Sequence, residues 1–267
     1  MLIFFNRCAT FFLFARHYLE SKKEIILNYS TVMKKIRYFL PLVVLGLLLV
    51  NPLLAENEDR DVPSFSEIAL RIPGKLYLKQ GNTQSVKIEA KSSTLEEIIT
   101  EVKDRQLTIR FKSKNYVFKS FTPGKIDIYI TVPEIGGLSI SGSGDIVAED
   151  EISSRILDLA VSGSGDILLD DLKADRVKSS ISGSGNIIIK DGGEATDFSV
   201  AISGSGDVKA GDFEAKDVVV HIAGSGNCTV TANGSLKARV AGSGSVYYNG
   251  NPQIDSSVAG SGKVKKM

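Results

Sequence analysis

The chain has no tryptophan, two histidines and two cysteines among its 267 residues. Those scarcities argue against a His- or Cys-based metal site, a disulfide scaffold and a histidine-dependent hydrolase, and no cofactor is expected. Charge is nearly balanced, 32 Lys+Arg against 31 Asp+Glu. The basic excess of a general nucleic-acid binder is missing, so no nucleic-acid partner is expected. The apolar run Phe39–Val50 is interrupted by Pro41 and Gly46. It falls short of the roughly 20 residues that cross a bilayer.

The balance of charge conceals an asymmetry. Residues 1–55 carry seven basic and two acidic side chains, residues 56–267 twenty-five and twenty-nine. Met33-Lys34-Lys35-Ile36-Arg37, the apolar run and Leu53-Leu54-Ala55 read as the cationic head, core and small-residue cut of a secretory signal peptide over 33–55. Cleavage after Ala55 leaves no membrane span, and no cysteine stands near the cut to carry a lipid. Residues 1–32 precede a Met that already begins a complete signal, and read as an upstream extension of the frame. Cys8 goes with them, leaving Cys228 unable to form an intramolecular disulfide, so the exported fold must hold itself without cystine.

Of the 25 glycines, 21 lie after residue 135. Fourteen of them fall in seven copies of one motif: Ser141-Gly142-Ser143-Gly144-Asp145-Ile146, Ser162-Gly163-Ser164-Gly165-Asp166-Ile167, Ser182-Gly183-Ser184-Gly185-Asn186-Ile187, Ser203-Gly204-Ser205-Gly206-Asp207-Val208, and looser forms at Ala223–Cys228, Ala241–Val246 and Ala259–Val264. Successive first glycines are 21, 20, 21, 20, 18 and 18 residues apart. A period near twenty sustained over seven copies is the mark of a solenoid.

Parity says which solenoid. Leu157, Leu159, Val161, Gly163, Gly165, Ile167 and Leu169 share one face, and Asp158, Ala160, Ser162, Ser164, Asp166 and Leu168 the other. Period two means strand, with no competing 3.6-residue stripe. Each coil is expected to hold two strands meeting at a bend that the paired glycines permit. Turns are expected at Asp170–Asp175, Lys190–Glu194 and Gly211–Glu214, with Ile152, Leu172 and Phe213 plugging a third side. The expected fold is all-β: a single-stranded right-handed parallel β-helix over 136–267, seven coils making roughly 34 Å of rod. A linker over 56–62 and a strand-rich lead-in or cap over 63–135 precede it. Lead-in strands are expected at Phe65–Ile72, Lys75–Lys79, Val86–Ala90, Leu107–Phe111 and Lys125–Val132, while Thr94–Lys103 has mixed character. At the far end Lys263, Lys265 and Lys266 are charges that discourage stacking.

The lead-in ending Ile128-Tyr129-Ile130-Thr131-Val132-Pro133 and the repeated Ser-Gly-Ser-Gly-Asp/Asn-Ile/Val resemble the head GIN domain family of putative auto-transporter adhesins. The resemblance spans roughly residues 63–264. It implies a β-helical protein of a Gram-negative bacterium, exported to the periplasm, the outer-membrane surface or beyond the cell, and brings no catalytic residues. No segment resembles a translocating outer-membrane barrel.

The outward parity builds two columns. Ser143, Ser164, Ser184, Ser205 and Ser225 continue to Ser243 and Ser261, and beside them run Asp145, Asp166, Asn186, Asp207 and Asn227. Such a face could hydrogen-bond sugar hydroxyls or gather a hard cation. Turn chemistry alone also accounts for those residue types, because Ser, Asp and Asn at a bend satisfy nearby backbone groups. The glycine pairs lack the third glycine of a dinucleotide fingerprint and the Lys-Ser/Thr of a phosphate loop. The twenty-residue period is not the nine of calcium-binding repeats. His221 reads as solvated, and Cys228, at the Ile146 and Ile167 position, as a small buried hydrophobe.

The sequence therefore points to an exported, non-enzymatic putative adhesin or surface-binding module. Its expected partners are a glycan or protein surface and its own copy. The alternatives are a polysaccharide-active β-helix enzyme, with Arg239, Tyr247 and Tyr248 as candidate partners for the Asp column, and a purely structural envelope protein.

Overall fold

The computed structural model describes residues 56–112 and 123–267. The signal peptide, the 1–32 extension, the Ala55 cut and Cys8 lie outside the described residues. All described residues belong to one compact unit, Leu54–Met267.

The repeat is a parallel β-solenoid. Its long side stacks β8 (Gly137–Gly142), β10 (Ile152–Gly163), β12 (Leu172–Gly183), β14 (Gly193–Gly204), and the later halves of β15 (Val208–Gly224) and β16 (Cys228–Gly242), ending in β18 (Gln253–Gly260). Past the glycine corner a short side stacks β9 (Asp145–Ala148), β11 (Ile167–Leu169), β13 (Ile187–Ile189), the first halves of β15 and β16, β17 (Val246–Asn249) and β19 (Val264–Lys266). Register is in step: Gly142, Gly163, Gly183, Gly204, Gly224, Gly242 and Gly260 lie one over the next.

The corner explains why both glycines are needed. Gly142 O accepts two N–H groups from the next rung, Ser164 N at 2.9 Å and Gly165 N at 3.2 Å, and every later rung repeats the pair. So close an approach leaves no room for side chains. Gly163 has φ +132°, and a Cβ there would overlap Gly142 O. A Cβ on the buried Gly165 would overlap Gly144 O and press on Ile140.

Inside, like residues form apolar columns. Ile146, Ile167, Ile187, Val208, Cys228 and Val246 are all fully buried in one of them. Cys228 is thus the buried hydrophobe its position predicts, and burial pushes its thiol pKa far up. Fully burying each such side chain contributes about 1.5–3 kcal/mol.

The third side differs from expectation. Leu172 to Asp175 and Gly211 to Glu214 are strand, because this wall stacks rung on rung like the others; within the expected turns the chain leaves strand at Asp170–Asp171 and Lys190–Gly192 alone. Ile152 does lie under Leu172, but the next position is Gly193. The missing volume is filled by Phe198 and Phe213, fully buried and edge-to-face with centroids 5.5 Å apart.

The lead-in is both coil and cap. β2 (Glu67–Leu70) and β3 (Lys75–Gln80) form a rung directly under β8 and β9. The chain then makes β4 (Ser85–Ala90), α1 (Ser92–Leu95) and β5 (Ile98–Lys103) before returning as β6 (Gln106–Phe111) and β7 (Asp127–Val132) beneath that first rung. β4 and β5 close the end antiparallel to β7 and β6. The mixed 94–103 stretch is accordingly a helical turn followed by a strand. Residues 56–62 are not wholly linker: β1 (Glu56–Asp59) pairs antiparallel with β4. Its sequence, Glu-Asn-Glu-Asp, has no apolar alternation to announce a strand; edge pairing alone makes it one. At the far end Lys266 falls in the Val230–Tyr248 column, and its Nζ donates to Asn251 Oδ1 at 2.6 Å. A charge on the inward parity of a terminal rung is a known guard against edge pairing.

The glycine corner makes a graded prediction. Gly142 has φ +127° but nothing within 4 Å of a Cβ, because no glycine rung lies beneath it. Gly142→Ala should cost roughly 1–2 kcal/mol from backbone strain alone. Gly163→Ala, with similar φ but a carbonyl in the way, should cost roughly 4 kcal/mol. Denaturant titrations followed by circular dichroism check the difference; equal losses would contradict the stacked corner.

Candidate functional site

The ten ladder residues are brought together as two adjacent columns beside the corner, and the two columns do different things. The Asx column is consumed by backbone. Asp145 Oδ1 accepts Asp166 N–H at 3.0 Å. Asp166 Oδ1 accepts both Asn186 N–H at 2.7 Å and its Nδ2–H at 2.8 Å. Asn186 Oδ1 accepts Asp207 N–H at 3.1 Å, and Asp207 Oδ1 takes Asn227 N–H at 2.8 Å and Nδ2–H at 3.2 Å. Asn227 Oδ1 accepts Ser245 N–H, and Ser245 Oγ accepts Lys263 N–H, so the chain of acceptors runs on after the Asx residues stop. Alternating Asp with Asn lets an amide donor sit between carboxylates from Asp166 to Asn227, keeping like charges two rungs, about 10 Å, apart. No group of three or more His, Cys, Asp or Glu suited to a metal ion occurs among the described residues.

The Ser column is free. Ser143, Ser164, Ser184, Ser205, Ser225, Ser243 and Ser261 are all exposed. Being outward between two glycines, they present hydroxyls to solvent while the backbone on either side is occupied by the corner.

On the long side, one strand-width before the corner, lies a feature the sequence reading did not single out. Two outward columns, Ala160, Ser180, Ala201, His221, Arg239 and Ser257, then Ser162, Ser182, Ser203, Ala223 and Ala241, floor a trough of about 650 Å³. The trough exists because these side chains are small, so the inward Val161, Ile181, Ile202, Ile222 and Val240 also show through to its floor. The signal was present in the sequence as paired outward positions restricted to Ala and Ser across the three rungs from Ala160 to Ser203, but one parity at a time reveals no depth. His221 is exposed, as its parity predicts. Arg239 lies directly over it and is held by Asp255, Nη2 to Oδ2 at 2.7 Å, with Nη1 donating to the Ala238 and Asp255 carbonyls. That hydrogen-bonded pairing lowers the Asp255 carboxyl below, and raises the Arg239 guanidinium above, their ordinary values.

The candidate enzymatic partners do not gather. Arg239 sits on the long side engaged with Asp255; Tyr247 is an outward residue of the short side, over Thr229, and Tyr248 is packed against the core. Neither tyrosine is brought to a carboxylate of the Asx column by any hydrogen bond.

A stacked parallel solenoid, with one column of side chains bonded to its own backbone and a long polar-and-methyl face turned outward, defines a β-solenoid repeat protein. Residues 64–252 match the family described as "Putative auto-transporter adhesin, head GIN domain", and the chain belongs to it. No curated protein matches the chain. Solved structures agree. A putative adhesin from Bacteroides fragilis is 27% identical with a TM-score of 0.75, covering 79% of this chain and 96% of that one. A protein from Parabacteroides distasonis described as a putative lipid binding protein is 25% identical with a TM-score of 0.68, covering 81% and 98%. A putative adhesin from Parabacteroides merdae, at 22% identity and a TM-score of 0.65 over 81% and 97%, shares the fold.

The two columns make opposite predictions. Asp166→Ala strands the half-buried Asn186 N–H and should cost about 2 kcal/mol, whereas Asp166→Asn keeps an acceptor oxygen and should cost well under half of that. Ser164→Ala should change stability by less than about 0.5 kcal/mol. Thermal melts of the three variants check the order; a Ser164→Ala loss equal to that of Asp166→Ala would contradict the division.

Proposed function

We propose that the chain is an exported, non-enzymatic binding module that engages a surface partner, a glycan, a protein or its own copy, through the long side of the solenoid. The observation that carries this reading is the trough and its neighbouring Ser column: an unpartnered face repeated rung after rung, beside acidic residues already committed to backbone. A face of this kind makes many weak, equal contacts, so its strength comes from multivalency more than from one pocket. Export is supported by the cationic head, apolar run and Ala55 cut read in the sequence, and by the adhesin description of the family. The periplasm, the outer-membrane surface and the extracellular space all fit. Among the described residues no helix is long and apolar enough to cross a membrane.

A second reading, capture of a lipid, is favoured by the methyl-rich floor of Ala160, Ala201, Ala223 and Ala241 and by the description of the Parabacteroides distasonis relative. A polysaccharide-active enzyme lacks support from the scattered placement of Arg239, Tyr247 and Tyr248.

Immobilised glycans, anionic and zwitterionic lipids and the chain itself form a panel that tests the proposal, scored for retention and for cleavage. Retention without turnover, lost when Ser182→Arg and Ser203→Arg raise the trough floor, is the expected result. Depolymerisation of a glycan that disappears in Asp166→Ala would overturn the proposal.

A further inference from the structure

We infer that the trough is closed by a second copy of this chain, two rods lying side by side and pointing the same way about a two-fold axis parallel to the rod. This rests on the binding reading above and names its partner.

Such an axis brings particular columns together. Placed over the Val161–Val240 line, it sets the first outward column of one copy against the second column of the other, rung by rung. The residue sizes complement one another in that arrangement. The only two large residues of the first column, His221 and Arg239, meet Ala223 and Ala241, the rungs in which the second column has given up serine for alanine. Where the first column is small, at Ala160, Ser180 and Ala201, the second holds Ser162, Ser182 and Ser203.

Charge then selects the direction. The outward column flanking the trough reads Asp158, Lys178, Ser199, Val219, Lys237, Asp255. With the rods parallel, these charges face the free hydroxyls from Ser164 to Ser261. With the rods antiparallel, Asp158 falls on Asp255 and Lys178 on Lys237, and like charges directly opposed are disfavoured. Arg239 would enter the interface already paired with Asp255, so no lone guanidinium is buried.

Size and cost are compatible with a specific contact. Six rungs by seven residues span roughly 29 Å by 23 Å, which is about 1,300 Å² for two copies, at the lower end of stable interfaces. Ala and Ser lose little rotamer freedom when covered.

Sedimentation equilibrium of the mature chain tests the inference. A reversible dimer is expected, weakened roughly tenfold or more by Ala201→Arg and by Ser182→Arg. Both positions are exposed, so unchanged thermal melts confirm that these variants fold. Spin labels on Ser205→Cys, on the edge of the face near mid-rod, report direction, the buried Cys228 being protected from labelling. In a parallel pair the labelled columns lie on opposite edges, roughly 20 Å apart across the face; in an antiparallel pair they share an edge and lie about one rung, roughly 5 Å, apart along it. A chain that stays monomeric at high micromolar concentration, a dimer indifferent to both arginines, or an antiparallel label distance each overturns the inference. A monomer still retained through this face by a glycan or lipid would sink the pairing and leave the binding reading intact.

Discussion

The shared acceptor at the glycine corner is the constraint from which the rest of the structure follows. One carbonyl takes two N–H groups from the rung above, and does so at every copy from Gly142 to Gly242. That geometry fixes the rung spacing and forbids a Cβ at both glycines. It also holds the intervening serine outward. Because the corner sets the register, every other column is aligned by it: the Ile146–Val246 core ladder, the Asx acceptors and the two rows flooring the trough.

The polar residues divide their work accordingly. Asp and Asn beside the corner complete the backbone hydrogen bonding that a bend would otherwise leave open, with Oδ1 of each engaged by the next rung. Serines between the glycines remain unoccupied. The part of the surface best suited to recognition is therefore set by small residues and free hydroxyls, while the acidic column, the more conspicuous chemistry in the sequence, is structural in its contacts. Membership of the head GIN family and the likeness to a solved putative adhesin support the proposed reading of that face.

Much of this was legible in the chain itself. The seven-copy period and the strict alternation around Leu157–Leu169 gave the solenoid, and the inward glycines gave the bend. Cys228 could be placed in the core from its position in the motif alone. What could not be read came from long-range pairing. β1 is a strand only because β4 offers an edge, and its Glu-Asn-Glu-Asp sequence carries no pattern of its own. The first rung, β2 and β3, is laid down before the rung beneath it, an order no periodicity reveals. The third wall reads as turns because Asp, Lys and Gly crowd it; its apolar column is interrupted at Gly193, and Phe198 of the same rung packs there against Phe213 of the next. Of the candidate site, the columns were visible as parity, but the trough was not, since its depth depends on side-chain size in six strands at once.

The most direct measurement is of distance against rung number. Pairs of spin labels on Ser143→Cys with Ser225→Cys, and on Ser143→Cys with Ser261→Cys, sample four and six rungs of one column. Backbone separations of about 19 Å and 29 Å, rising linearly with rung count, are predicted by a stack at 4.8 Å per rung. Separations that fail to grow with rung number, or that alternate as hairpin pairing would make them, would contradict the stacked corner and the faces built upon it.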